Sequence, residues 1–188
     1  MIADTPLDLS PWGRLTALAL DPAGLQVAFG VAGSGLYLFH AGQSPALLSS
    51  LAQPAAVTFD DTGGRLYAID LDAQRILEFD SGAGPSAFAS LAQADGTAVT
   101  PAGLAVSGDG RYLLLADSTA HTIRVYDTAS RNLANTLPLD FAPTRLEALS
   151  ARPIFLLNGD NSNEWLLLLD AIQFPTVSFV PASQEEPL

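Results

Sequence analysis

One unit recurs four times along this chain, and no other feature limits the fold as tightly. It consists of an apolar strand, an Asp/Gly turn, a second apolar strand, a short polar loop and a strand that closes in Asp. The first copy runs Leu15–Asp21, turns at Pro22-Ala23-Gly24, and continues through Leu25–Val31 and Leu36–His40. The second has Ala55–Asp60, Asp61–Gly64, Arg65–Asp70 and Arg75–Asp80. The third has Gly103–Ser107, Gly108–Gly110, Arg111–Asp117 and Thr122–Asp127. The fourth is degenerate, with Thr144–Leu149, Ser150–Pro153, Ile154–Asn158 and Trp165–Asp170. Aligned at Asp21, Asp60, Ser107 and Ser150, the copies are spaced by 39, 47 and 43 residues.

A period near 40 to 45 residues with four short strands per unit is that of propeller blades. The fourth strands come from the β-prone runs Ala46–Leu51, Ser86–Leu91, Leu133–Leu139 and Thr176–Val180. Asp-Gly and Gly-Gly in the first turns supply the positive φ that tight hairpins need. The inner strands are apolar nearly throughout, as expected of a sheet packed on both faces. The third strands are expected to alternate, Arg75, Leu77 and Phe79 against Ile76, Glu78 and Asp80. No stretch of helical length carries a 3.6-residue pattern. The fold class is therefore all-β, a β-propeller of four four-stranded antiparallel blades. The blades are expected over about 14–51, 54–91, 101–139 and 143–181 of one domain, with 182–188 a frayed tail. With 188 residues and 48% hydrophobic against 15% charged, the chain can bury a sizeable core.

The run from Pro101 to Asp127, with Gly103-Leu104-Ala105-Val106-Ser107, Asp109-Gly110 and the closing Ile123-Arg124-Val125-Tyr126-Asp127, resembles a blade of the YVTN/NHL-type bacterial β-propellers. The second copy is similar more loosely, the first and fourth in outline. The matching residues are turn formers and core apolars, so the resemblance implies the fold. Relatives of this type include lactonase-like enzymes, quinoprotein dehydrogenase subunits, lyases and binding modules, and fold analogy alone does not choose among them. None of their catalytic residues maps onto a position here.

Propellers of this repeat type usually carry six to eight blades, and a ring must close to bury every blade face. Three arrangements fit a count of four: a half-ring completed by a second copy, a piece of a longer ring, or a small closed ring. An open arch exposes apolar blade faces larger than a monomer tolerates.

Charge narrows the partners. Eight Arg, no Lys and twenty acidic residues give a formal net charge of -12. The arginines are scattered from Arg14 to Arg152, so no basic stripe can neutralise nucleic-acid phosphates, and anionic membranes are disfavoured too. No apolar run approaches a membrane span, and Met1–Pro6 has neither a basic nor an apolar region of a signal peptide. The absence of cysteine excludes disulfides, thiolate metal sites and thiol nucleophiles. It suits a periplasmic or secreted protein, though a cytoplasmic one is equally allowed. The Ala/Leu-rich, Lys-free composition points to a bacterial source with GC-rich DNA.

Ligands of propellers usually meet the loops joining fourth to first and second to third strands. Asp70 and Asp117 close equivalent second strands there. They can cap the amides of the following loops, or form part of a carboxylate ring around a cation or polar ligand. Arg14 and Arg145 precede first strands and can clamp a carboxylate or lie over the rim. Asp117, Ser118 and His121 share one short loop, which lacks the rigid placement and oxyanion hole of a catalytic triad; His121 remains a candidate ligand contact. His40 stands where the other copies close in Asp. Asp160, Ser162 and Glu164 alternate oxygen ligands that suit Ca²⁺, but without the central Gly and span of an EF-hand loop, so a polar hairpin is the competing reading. The expected function is a non-catalytic binding or scaffold module for a protein or polymer ligand. The alternative is a lactonase-like or lyase-like enzyme with a divalent cation in the central channel.

Overall fold

The computed structural model describes residues 12–80, 84–92, 98–148, 154–159, 164–168 and 176–178. It contains four antiparallel four-stranded sheets, each built from strands in chain order. The first comprises β1 (Leu15–Leu20), β2 (Gln26–Val31), β3 (Gly35–His40) and β4 (Ala46–Ser49). The second comprises β5 (Pro54–Phe59), β6 (Arg65–Asp70), β7 (Arg75–Asp80) and β8 (Ser86–Ser90). The third comprises β9 (Pro101–Val106), β10 (Tyr112–Asp117), β11 (Thr122–Asp127) and β12 (Asn132–Pro138). The fourth comprises β13 (Pro143–Ala148), β14 (Ile154–Gly159), β15 (Glu164–Leu168) and β16 (Thr176–Ser178). This is the expected propeller-type, all-β architecture. The chain divides into two compact units, Met1–Ser90 with the first two sheets and Leu91–Leu188 with the last two.

The first turn is built the same way in three sheets. Asp21, Asp60 and Ser107 each donate their N–H to the carbonyl of Gln26, Arg65 and Tyr112, at 3.0, 3.0 and 2.8 Å. Three residues on, Gly24, Gly63 and Gly110 return an N–H to those turn residues' carbonyls, at φ of 70°, 68° and 68°. Only glycine enters that left-handed region without steric cost. The turn side chain completes the loop: Asp21 Oδ1 accepts the amides of Leu25 and Gln26, Asp60 Oδ1 that of Arg65, and Ser107 Oγ that of Tyr112.

In the first unit, Ala17, Ala19, Ala28, Leu36, Leu38 and Leu51 of one sheet pack against Val57, Phe59, Leu66, Ala68, Leu77 and Phe79 of the next. In the second unit, Ala105, Leu114, Ala116, Ile123 and Val125 meet Leu146, Phe155 and Leu157. Neighbouring sheets approach closely at two glycines: a Cβ on Gly30 of β2 would lie 2.8 Å from Pro54 Cβ of β5, and one on Gly103 of β9 2.8 Å from Leu146 N of β13.

Two local expectations are corrected. The third strands do not alternate, because Ile76, Leu77, Glu78 and Phe79 are buried in succession, as are Ile123 to Tyr126. A strand covered on both faces carries no period-2 exposure. Arg145 does not precede the fourth sheet's first strand but lies within β13.

Candidate functional site

In three sheets the residue just after the second strand donates its N–H to the carbonyl just before the first strand. These pairs are Ala32 with Arg14 at 3.0 Å, Leu71 with Gln53 at 3.1 Å, and Ser118 with Thr100 at 2.9 Å. The bond brings the 4→1 connection and the 2→3 loop together at one edge of each sheet, the edge where the sequence places ligand contacts.

At that edge the acidic residues are locked in place. Asp70 Oδ1 accepts the Ala73 amide at 3.4 Å, while its Oδ2 takes both Nε and Nη2 of Arg75 at 3.2 and 3.1 Å. Asp117 is fully buried. Its Oδ1 accepts the amides of Thr100, Thr119 and Ala120 at 3.2, 3.2 and 3.3 Å. Its Oδ2 accepts Arg124 Nη2 at 3.1 Å, and Arg124 Nη1 donates to the Leu91 carbonyl at 3.3 Å. A buried carboxylate is tolerable only with such a set of donors. Thr119 Oγ1 also donates to Thr100 Oγ1 at 2.7 Å, and Ser118 Oγ to the Thr100 carbonyl at 3.1 Å. The result is a preorganised loop with exposed Thr100 and Thr119 at its surface.

The loops between second and third strands share one conformation. Gln74 and His121, each four residues after the Asp, have φ of 48° and 51°. Gln74 supports its own turn by donating Nε2 to the Leu71 carbonyl at 2.7 Å. His121 is exposed, and its carbonyl accepts the Leu139 amide at 2.8 Å.

Of the other candidates, Arg14 is exposed beside β1. Arg145 pairs with Glu147 two residues along its own strand, both about half exposed. Asp160 and Ser162 fall outside the described residues, and Glu164 opens β15, paired in register with Asn158. Among the described residues, no three His, Asp or Glu side chains form a group able to hold a metal, and no helix is long and apolar enough to cross a membrane.

Sequence reasoning passed over Arg75 and Arg124, the partners of the two buried carboxylates. The signal was present: an Arg in a third strand, at the start of β7 or inside β11, within hairpin reach of the Asp that closes the second strand. It also passed over the cluster of Trp12 with Phe29 and Tyr37, whose ring centroids lie 5.5 and 4.6 Å from the indole. Burial moves two tyrosines. Tyr67 and Tyr126 both ionise above the usual range because the phenolate would be desolvated.

Residues 40–139, more than half of the chain, match the family described as Lactonase, 7-bladed beta-propeller. No curated protein matches in sequence. Among solved structures the chain is similar to one from a nidogen/laminin complex, with a TM-score of 0.68 and 19% identity over 96% of this chain and 66% of that one. It is similar to the Cps50 (Swd1) β-propeller domain of Myceliophteria thermophila at a TM-score of 0.69 and 10% identity, covering 88% of this chain and 57% of that one. It also resembles the hydrazine synthase of Kuenenia stuttgartiensis at 0.65 and 16% identity, covering 95% and 53%. At these identities the likeness is one of fold, and the chain spans between about half and two thirds of each structure's length.

Proposed function

The chain belongs to the 7-bladed β-propeller lactonase family, and from that premise we propose that it works as a binding or scaffold module, presenting its loop edge to a protein or polymer ligand. The observation that carries this reading is the occupation of Asp117. Its oxygens are spent on Arg124 and three backbone amides, so the carboxylate shapes the loop from Ser118 to His121 rather than facing a ligand. A loop already held in one shape loses little entropy on binding, which favours affinity. One of the structures that this chain resembles comes from a complex of two proteins, nidogen and laminin, which is in keeping with a protein ligand.

The test is direct binding of the 188-residue chain to arrayed peptides and polysaccharides, with Thr119→Ala and His121→Asn as loop variants. Loss of binding at unchanged melting temperature supports the loop edge as the contact surface; binding indifferent to both variants places it elsewhere. Family membership favours one competing reading, a lactonase-like or lyase-like enzyme holding a divalent cation. Lactone hydrolysis abolished by a chelator, with one metal retained per chain, would establish that reading and displace ours. Ca²⁺ at Asp160, Ser162 and Glu164 is part of the same measurement, and a bound ion lost in Glu164→Gln would assign it. The binding role goes with a periplasmic or secreted location, which suits a cysteine-free chain and is read by cell fractionation.

A further inference from the structure

Each sheet ends in an outer strand with one row of backbone N–H and C=O groups that no other strand of the sheet takes. Three of these edges are built alike. β4, β8 and β16 are only four, five and three residues long. Each starts directly after a proline, Pro45, Pro85 or Pro175. Short length and a proline at the strand start both deny a foreign strand its ladder.

β12 breaks that pattern. It runs seven residues, Asn132–Pro138, and follows Arg131 instead of a proline. It carries no charged residue, and Leu133 stands 52% exposed. An uncharged, proline-free run such as Asn132–Leu137 is the kind of edge on which chains pair.

The ladder of β12 shows how that hazard is met. The Leu139 amide donates to the His121 carbonyl at 2.8 Å, across the hairpin and in line with the Pro138–Thr122 pair. Orientation alternates along a strand, so residue 137 also turns its amide towards β11, while 136 and 138 face outward. The outward amide of Thr136 donates to Oδ1 of Asn135 at 2.8 Å. The next outward position is Pro138, which has no N–H. Two successive outward donors are thus withdrawn, one by a side chain and one by residue type. Nearer the start of the strand, the register slips between the pairs Asn135–Val125 and Leu133–Tyr126, which leaves Ala134 as an extra residue. A bulge of that kind twists an edge away from a straight partner.

We propose that Asn135 and Pro138 form an edge guard, which keeps β12 from adding to its sheet an extended strand of a second copy of this chain. A strand added there needs an outward donor at every second residue. It would meet instead the Asn135 side chain over the Thr136 amide, then the Pro138 ring. Asn and Pro are both depleted in strands, and neither residue belongs to the packed cluster of its unit. Guarding the edge accounts for the presence of both in β12.

The test restores the two donors in the 188-residue chain. Asn135→Thr alone should speed exchange of the Thr136 amide, read by NMR, about tenfold. Asn135→Thr/Pro138→Thr should keep the far-UV circular dichroism of the unchanged chain. It should also give thioflavin-T signal and pelletable protein at concentrations where the unchanged chain stays dispersed. Adding Thr136→Lys sets a charge on the reopened edge and should abolish that assembly, whereas aggregation of merely unfolded chain would be indifferent to it. Asn132→Thr makes the same exchange of residue types outside the guard and should leave the chain dispersed. A double variant as dispersed as the unchanged chain, assembly that Thr136→Lys does not prevent, or equal assembly from Asn132→Thr would each overturn the proposal. So would a Thr136 exchange rate that Asn135→Thr leaves unchanged.

Discussion

Arg124 reaches across the β10–β11 hairpin to place Nη2 3.1 Å from Oδ2 of Asp117, and both side chains are almost entirely buried. The corresponding carboxylate in the second sheet, Asp70, is met by an arginine from a different position. Arg75 sits directly opposite Asp70 in register and keeps 46% of its side chain exposed. Register makes Leu77 the counterpart of Arg124. The same structural Asp is thus neutralised once from inside the sheet and once from its rim.

That difference sets a contrast in stability. Asp117→Asn strands a buried guanidinium and should cost about 3–5 kcal/mol. Asp70→Asn leaves Arg75 free to turn into water and should cost about 1 kcal/mol. Urea denaturation of both variants at neutral pH checks the order. Asp117→Asn/Arg124→Leu, which removes the stranded charge, should be less destabilised than the two single costs combined.

The two buried tyrosines define the alkaline limit. Their folded-state ionisation lies above the ordinary value of 10.0. The folded chain therefore holds these protons where the unfolded chain releases them. Their contribution is fully present below pH 10.0 and is lost as pH rises through the folded-state value. Tyrosinate absorbance should show a late component that coincides with unfolding and shrinks in Tyr67→Phe and Tyr126→Phe. A single early titration of all four tyrosines would contradict the burial.

At the acid end the sign reverses. Asp127 ionises below its usual 3.8 because the Ser130 amide and hydroxyl donate to it, with Arg111 assisting. Its contribution is present above that value and fades as pH falls through the lowered one. The turn after β11 should lose protection in hydrogen exchange under acid before the sheets unfold, and Asp127→Ala should show that loss already at neutral pH.

Turn and core chemistry were legible in the sequence because each rests on local rules. Gly24, Gly63 and Gly110 could be assigned positive φ from Asp/Gly turns alone, and the apolar runs located the strands. Arg124 and Glu78 were not legible as buried groups, because a charged letter in a strand reads as solvent-facing until its partner is placed. Arg124 is neutralised by Asp117, seven residues away, and Glu78 by Arg65, whose Nε lies 3.8 Å from its Oε1, with the Tyr67 hydroxyl donating to the same oxygen at 3.4 Å. The exposure of Leu18 and Leu20 was hidden for the converse reason, since an apolar strand reads as core in every repeat.

His121 separates a backbone role from a ligand role. At φ 51° a histidine pays a steric cost that Asn tolerates better. His121→Asn should hold or raise stability by a few tenths of a kcal/mol to about 1 kcal/mol. If the imidazole also contacts ligand, binding falls in the same variant, and thermal melting beside a binding isotherm reads the two effects apart.

Gly103 gives the sharpest steric prediction. A Cβ there would sit 2.8 Å from both N and Cβ of Leu146 and 2.9 Å from its carbonyl oxygen, whereas one on Gly110 meets nothing within 4 Å. Gly110→Ala should therefore cost only the left-handed backbone penalty, about 1–2 kcal/mol. Gly103→Ala must push two first strands apart, and overpacking of that kind costs about 1–3 kcal/mol or more. The clash involves atoms that every non-glycine residue at 146 retains, so Leu146→Ala cannot relieve it. The double variant should lose the cavity cost of the buried leucine as well and be less stable than either single one. Recovery of stability in Gly103→Ala/Leu146→Ala would show instead that the leucine side chain, not the strand backbone, sets the spacing of β9 and β13.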